Sequence, residues 1–126
     1  MSDTYNFSGN FTGTILNVNS ILENVTQAIG TIPNIDQSGK DRLNLLVKQL
    51  QDTLQNVPPD QVDNANKVAK RAKELIEEAN DTKPDKEEVE RKGENLKKAA
   101  LNLTTVLPSV VNVVGQIVSL IMTFIK

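Results

Sequence analysis

From Val89 to Phe124, eleven positions keep an unbroken 4-3 spacing: Val89, Gly93, Leu96, Ala100, Leu103, Leu107, Val110, Val114, Ile117, Ile121 and Phe124, with Ile125 an equivalent last member. No other feature restricts the fold as much. An apolar stripe recurring every 3.5 residues or so belongs to helices that bury one side against other helices. Pro108 lies inside the run and would cost about 3 kcal/mol in a helix interior. The phase is nevertheless the same on both sides of it. The spacing therefore predicts a single helix over 84–125, kinked near 108. Such a helix would reach roughly 60 Å at 1.5 Å per residue, longer than its neighbours. One half is then expected to extend past its partners within the chain. The residues expected to make helix contacts between copies are Leu96, Ala100, Leu103, Leu107, Val110, Val114, Ile117 and Ile121.

Three shorter helices precede it. Ser20-Ile21-Leu22-Glu23 has the form of a capping box and opens a helix over about 20–29, with Ile21, Leu22, Val25, Ala28 and Ile29 on one face and Gly30 at its end. A second helix is expected over about 39–57, with Leu43, Leu46, Val47, Leu50, Leu54 and Val57 on its apolar side. Pro58-Pro59 stops it. The third, about 60–80, buries small residues: Val62, Ala65, Ala69, Ala72, Ile76 and Ala79 form a seam that lets another helix come close. The expected class is mainly α, a helical bundle or long helical hairpin.

The first eighteen residues are different. Thr4 to Ser20 carries no charge, and Tyr5, Phe7 and Phe11 are three of the four aromatic residues in the chain. Tyr5, Phe7, Gly9, Phe11, Gly13 and Ile15 alternate with Asn6, Ser8, Asn10, Thr12 and Thr14, the period of a strand. Gly9-Asn10 is a hairpin signal, so a single strand and a β-hairpin are both compatible with the pattern. The division expected is a β-type arm over 1–18 and a helical domain over 19–126. A lone hairpin is marginal in water, and no other segment reads as strand. The arm is therefore expected to add its edge to another chain, with Tyr5, Phe7, Gly9, Phe11, Gly13 and Ile15 as the assembly residues.

Charge narrows the functional classes. Of 30 charged residues, 21 lie between Asp60 and Lys98, and the formal net charge is −2. That balance gives no basic face for nucleic acid. Histidine and cysteine are both absent, which removes the usual general base, thiolate metal sites and disulfides. Asp85, Glu87, Glu88 and Glu90 are interleaved with lysine and arginine and read as a solvated helix face rather than a metal site. Ion pairs are expected at Lys70–Glu74, Lys73–Glu77, Glu87–Arg91, Glu88–Lys92 and Glu94–Lys98. The N-terminus does not have the form of a Sec-type signal, and the Asn-x-Ser/Thr sequons at Asn6, Asn10, Asn24, Asn80 and Asn102 read as accidental.

The opening "YNFSGNFTGTILNVNS", followed by capped helices and a Val/Ile-rich end, resembles small cyanobacterial helical proteins. That resemblance implies no activity and brings no functional residues. The sequence points to a non-enzymatic, cofactor-free protein that forms homo-oligomers or docks a protein partner by strand addition. The alternative is a membrane-active or tail-anchored protein. The tail from Val106 to Ile125 has 13 apolar residues in 20 and no charge, enough to span a bilayer core of about 30 Å. Asn112, Gln116, Ser109, Ser119 and Thr123 oppose insertion by forming a polar stripe along it. The expected location is the cytoplasm, with membrane association through residues 107–125 as the alternative.

Overall fold

A computed structural model describes residues 17–33, 35–81 and 83–125. Five helices account for most of them: α1 (Val18–Gly30), α2 (Gln37–Leu54), α3 (Val62–Ala79), α4 (Lys86–Leu101) and α5 (Pro108–Phe124), with a 3-10 turn at Pro59–Gln61 ahead of α3. The predicted helical bundle is what the chain forms. The expected arm lies outside the described residues except for Asn17 and Val18. Asn17 is the N-cap of α1, and Val18 is its first residue and fully buried.

The helices form a closed ring. In order around it stand α1, α2, α5, α4 and α3, and α3 packs back on α1. Hydrogen bonds give the directions. Asn19 Oδ1 accepts from Gln51 and Gln55, and Lys40 donates to the Gly30 carbonyl at 2.9 Å, so α1 and α2 are antiparallel. Lys92 Nζ donates to Glu78 Oε1 at 3.1 Å across the antiparallel α3–α4 pair. Gly93 on α4 faces Val118 on α5, and Gly39 on α2 faces Phe124 at the far end of α5, so these pairs are antiparallel as well. A ring of five cannot alternate throughout. The parallel pair is α1·α3, held at both ends in one register: the Asn17 N–H donates to Asn66 Oδ1 at 2.8 Å, and the Thr31 hydroxyl donates to Asn80 Oδ1 at 3.0 Å.

The single kinked helix expected over 84–125 is instead a helical hairpin. Pro108 is the first residue of α5, where its missing N–H costs nothing. The residue before it, Leu107, is held out of the helical region at φ −139°, ψ 72°. Between the two helices, residues 102–107 make tight turns, with Leu103 N–H bonded to the Ala100 carbonyl at 3.0 Å and Leu107 N–H to the Leu103 carbonyl at 2.7 Å. These turns keep Leu103 pointing inward, which is why the heptad phase crosses the break. Of the stripe residues, Leu96, Ala100, Leu103, Val110, Val114, Ile117 and Ile121 are all buried in the one core, and only Leu107 is partly exposed. The expectation that the stripe extends beyond the fold to touch another copy is corrected: it is consumed within the chain.

Two local expectations also change. The capping box at Ser20 does not form; α1 starts two residues earlier, and Asn17 caps it through its carbonyl, which accepts from Ile21 N–H at 2.9 Å. At α2 the cap is Asp36, whose carboxylate accepts from Gly39 N–H at 2.8 Å. The alanine seam is as expected from Ala65 onward: Ala65, Ala69, Ala72, Ile76 and Ala79 are buried while Val62 is only half-buried, and Val68 and Leu75 extend that face so that α3 packs on both α1 and α4. Among the described residues no polar or charged residue is buried.

Two glycines report on this packing with opposite signs. A Cβ on Gly39 would fall 2.5 Å from Ile35 Cγ1 and 2.7 Å from Phe124 Cζ, whereas one on Gly115 meets nothing within 4 Å. Urea titration is expected to show Gly39→Ala losing stability, overpacking costing about 1–3 kcal/mol. Gly115→Ala is expected to gain about 0.5–1 kcal/mol from helix propensity. Val114 is fully buried, and Val114→Asp, which places an unpaired charge in the core, is expected to abolish the cooperative far-ultraviolet transition. A Val114→Asp protein that melts like the parent would contradict the placement of α5.

Candidate functional site

Grooves mark the surface of the ring. One, about 540 Å³, runs along α3 and is lined by Asp63, Asn66, Lys67, Lys70, Arg71, Lys73, Glu74 and Glu77. Its three acids offset three of its four bases. Arg71 pairs with Glu74 at 2.9 Å and Lys73 with Glu77 at 4.0 Å, each within the helix and partly solvated. Such pairs contribute roughly 0–1 kcal/mol and leave a hydrated face. A second groove of about 220 Å³ between α3 and α4 brings together Lys67, Arg71, Asn95, Lys98 and Asn102.

The third groove differs in chemistry. Between the C-terminal half of α4 and the N-terminal half of α5, a cavity of about 440 Å³ is lined by Ala100, Leu101, Val111, Val114 and Gly115, with Glu94, Lys97 and Lys98 at its edge. Leu101 is 58% exposed and Val106, on the adjoining turn, 38%. An apolar groove with an exposed leucine on its wall is a feature of contact surfaces. The antiparallel hairpin creates the groove. α4 ends and α5 begins on either side of the 102–107 turn, and Gly115, lacking a side chain, leaves the wall of α5 open.

Ala100 and Val114 belong to the predicted stripe, whereas Leu101, Val111 and Gly115 do not. The first two each follow a stripe member directly, as Ala100-Leu101 and Val110-Val111. For Leu101 the signal is a second apolar residue beside a heptad position on a charged helix; Val111 lies on the uncharged α5, where no such contrast marks it. The predicted arm residues Tyr5, Phe7, Gly9, Phe11, Gly13 and Ile15 lie outside the described residues.

Electrostatics marks no reactive centre among the described residues. Among the described residues, no group of three or more acidic residues is placed to hold a metal ion. Asn44 Oδ1 on α2 is the one buried side-chain polar atom there without a hydrogen-bond partner, and a lone carbonyl dipole organises no chemistry. Of the five ion pairs expected from spacing, Lys73–Glu77 forms. Arg71, Lys97 and Arg91 pair instead with acids three residues away, and Lys92 reaches across to Glu78 on α3. Among the described residues no helix is long and apolar enough to cross a membrane.

The Glu88–Arg91 pair has shifted titration. The two hydrogen bonds from Arg91 to both carboxylate oxygens hold Glu88 below the usual carboxylate range, and the same contact raises Arg91. Because the folded-state value of Glu88 is depressed, its contribution to stability is present above the ordinary carboxylate pKa. It is lost as pH falls through the lowered value. Arg91→Ala is expected to return the Glu88 titration, followed by carboxyl-carbon NMR, upward to the ordinary range. An unchanged midpoint would mean that the pair does not persist in solution.

No protein-family model, no curated protein and no solved structure matches this chain.

Proposed function

We propose that the protein is a non-enzymatic structural protein that assembles with copies of itself or docks a protein partner, and that the uncharged segment from Tyr5 to Ile15 is the contact element. The observation that carries this reading is the closure of the helix ring. Each helix packs on two neighbours, and the heptad stripe faces inward. Helix contacts through the stripe are thus already used, and contact with another chain falls to what lies outside the ring. The arm has the composition for it: aromatic and glycine positions on one parity, Asn, Ser and Thr on the other, and no charge to oppose edge pairing. Its backbone donors and acceptors need partners, and addition to a second chain supplies them. The alternative, insertion of residues 107–125 into a bilayer, requires α5 to leave its packing on α2 and α4.

The test is removal of residues 1–16. Because the ring is built from residue 17 onward, the truncated chain is expected to keep its helical signal and melting cooperativity. Its molar mass by light scattering is expected to fall from that of a multimer to that of a single chain. An unchanged multimer after truncation would contradict the proposal, as would an intact chain that is monomeric at every concentration.

A further inference from the structure

We infer that the apolar groove between α4 and α5 is the acceptor for the aromatic arm of a second copy of this chain, so that each protomer carries both halves of the contact. The inference rests on the reading of the arm as the assembly element and names the surface that receives it.

Chemistry matches the two halves. The groove is walled by Leu101, Val111 and Val114 and edged by Glu94, Lys97 and Lys98, with Lys97 paired to Glu94 at 3.8 Å. An apolar trough suits aromatic side chains, which bury 150–250 Å² or so each, and a lysine at its rim can lie over a ring face. The chain has four aromatic residues, and three of them, Tyr5, Phe7 and Phe11, lie in the arm. About 440 Å³ falls within the range of roughly 300–1,000 Å³ typical of sites that enclose a small organic molecule, and has room for two phenyl rings.

Geometry favours a second copy over the arm's own groove. In the ring order, the α4–α5 junction lies opposite α1. With neighbouring axes about 8–10 Å apart, the outer face of that junction is roughly 20 Å from the start of α1. Six extended residues, the separation of Phe11 from Asn17, span about 20 Å at most. A straight path across the end of the bundle would also meet the 55–61 and 102–107 connections. Folding back therefore consumes the stretch that contains Phe11 and leaves Phe7 alone to enter. A neighbouring protomer can present its groove beside the point where the arm leaves, so that Phe7 and Phe11 both seat. Mutual exchange of arms closes a dimer, and one-way exchange continues as a chain.

Gly115 provides the test. A Cβ there meets nothing within 4 Å, so Gly115→Phe is expected to project into the groove and fill it. Leu101→Lys, at a site 58% exposed, charges the wall. Three proteins are compared by light scattering: the chain lacking residues 1–16, Gly115→Phe, and Leu101→Lys. Each is expected to be monomeric at concentrations at least tenfold above those at which the intact chain assembles. Mixing the truncated chain with Gly115→Phe is expected to give a 1:1 complex, since one supplies a free groove and the other a free arm. If truncation dissociates the multimer while Gly115→Phe and Leu101→Lys assemble normally, the arm is the contact element and the groove is not its acceptor. If truncation itself changes nothing, the arm reading fails and the inference fails with it. If the mixture stays monomeric while each variant alone has dissociated, exchange between copies is excluded.

Discussion

The parallel contact between α1 and α3 is the constraint on which the other helix placements depend. Five helices in a closed ring must include one pair that runs in the same direction. Here that pair is fixed by two hydrogen bonds in a common register, from Asn17 N–H to Asn66 and from Thr31 to Asn80. Because α1 occupies the place between α2 and α3, those two helices do not form a hairpin although they are consecutive. The chain from Gln55 to Gln61, with Pro58-Pro59 and a 3-10 turn, carries α3 past the start of α1. The remaining connections then join antiparallel neighbours within six residues each, the loop length usual for packed helix pairs.

What seals the ring is shape rather than polarity. The buried residues are aliphatic, alanine or glycine, and Phe124, the only aromatic residue among those described, is half-buried at one end. The alanines of α3 allow it two close neighbours, and Gly93 lets α4 approach Val118 on α5. At the end of the bundle where Ile32, Ile35, Leu43, Ala79, Ile121, Phe124 and Ile125 meet, only about 10 Å³ is left empty, at or below what one water needs. A core of this kind holds specificity in side-chain volume, and the charged residues of α3 and α4 are left to solvate its exterior.

Much of this could be read from the residues in order. The apolar faces, the alanine seam and the proline stops placed the first three helices to within a few residues, and nearly every member of the 4-3 stripe is buried. The break between α4 and α5 was not legible, because a heptad reports only which residues face a core. A turn that keeps Leu103 inward and a helix restarted at Pro108 produce the same spacing as one continuous helix. Direction around the ring was hidden for a related reason: nothing in α1 or α3 alone encodes a parallel partner, and the contacts that fix it come from Asn17, Asn66, Thr31 and Asn80 at helix ends. The groove was hidden because Leu101 and Val111 stand next to stripe positions and merge with them in any count of apolar residues.

The functional account follows from the ring being complete. A bundle with an unused helix edge could associate through it, whereas this one offers an apolar groove on its exterior, and its sequence carries an uncharged aromatic segment ahead of α1. The account therefore depends most on the contact that closes the ring. The chain has no cysteine, so a single introduced pair reports proximity without ambiguity. Thr31→Cys with Asn80→Cys, treated with a mild oxidant and followed by mobility on a denaturing gel, is predicted to form an intramolecular disulfide rapidly. Thr31→Cys with Asn66→Cys, which would be adjacent were α1 and α3 antiparallel, is predicted to remain reduced. Preferential cross-linking of the second pair would contradict the closed ring and the account of assembly built on it.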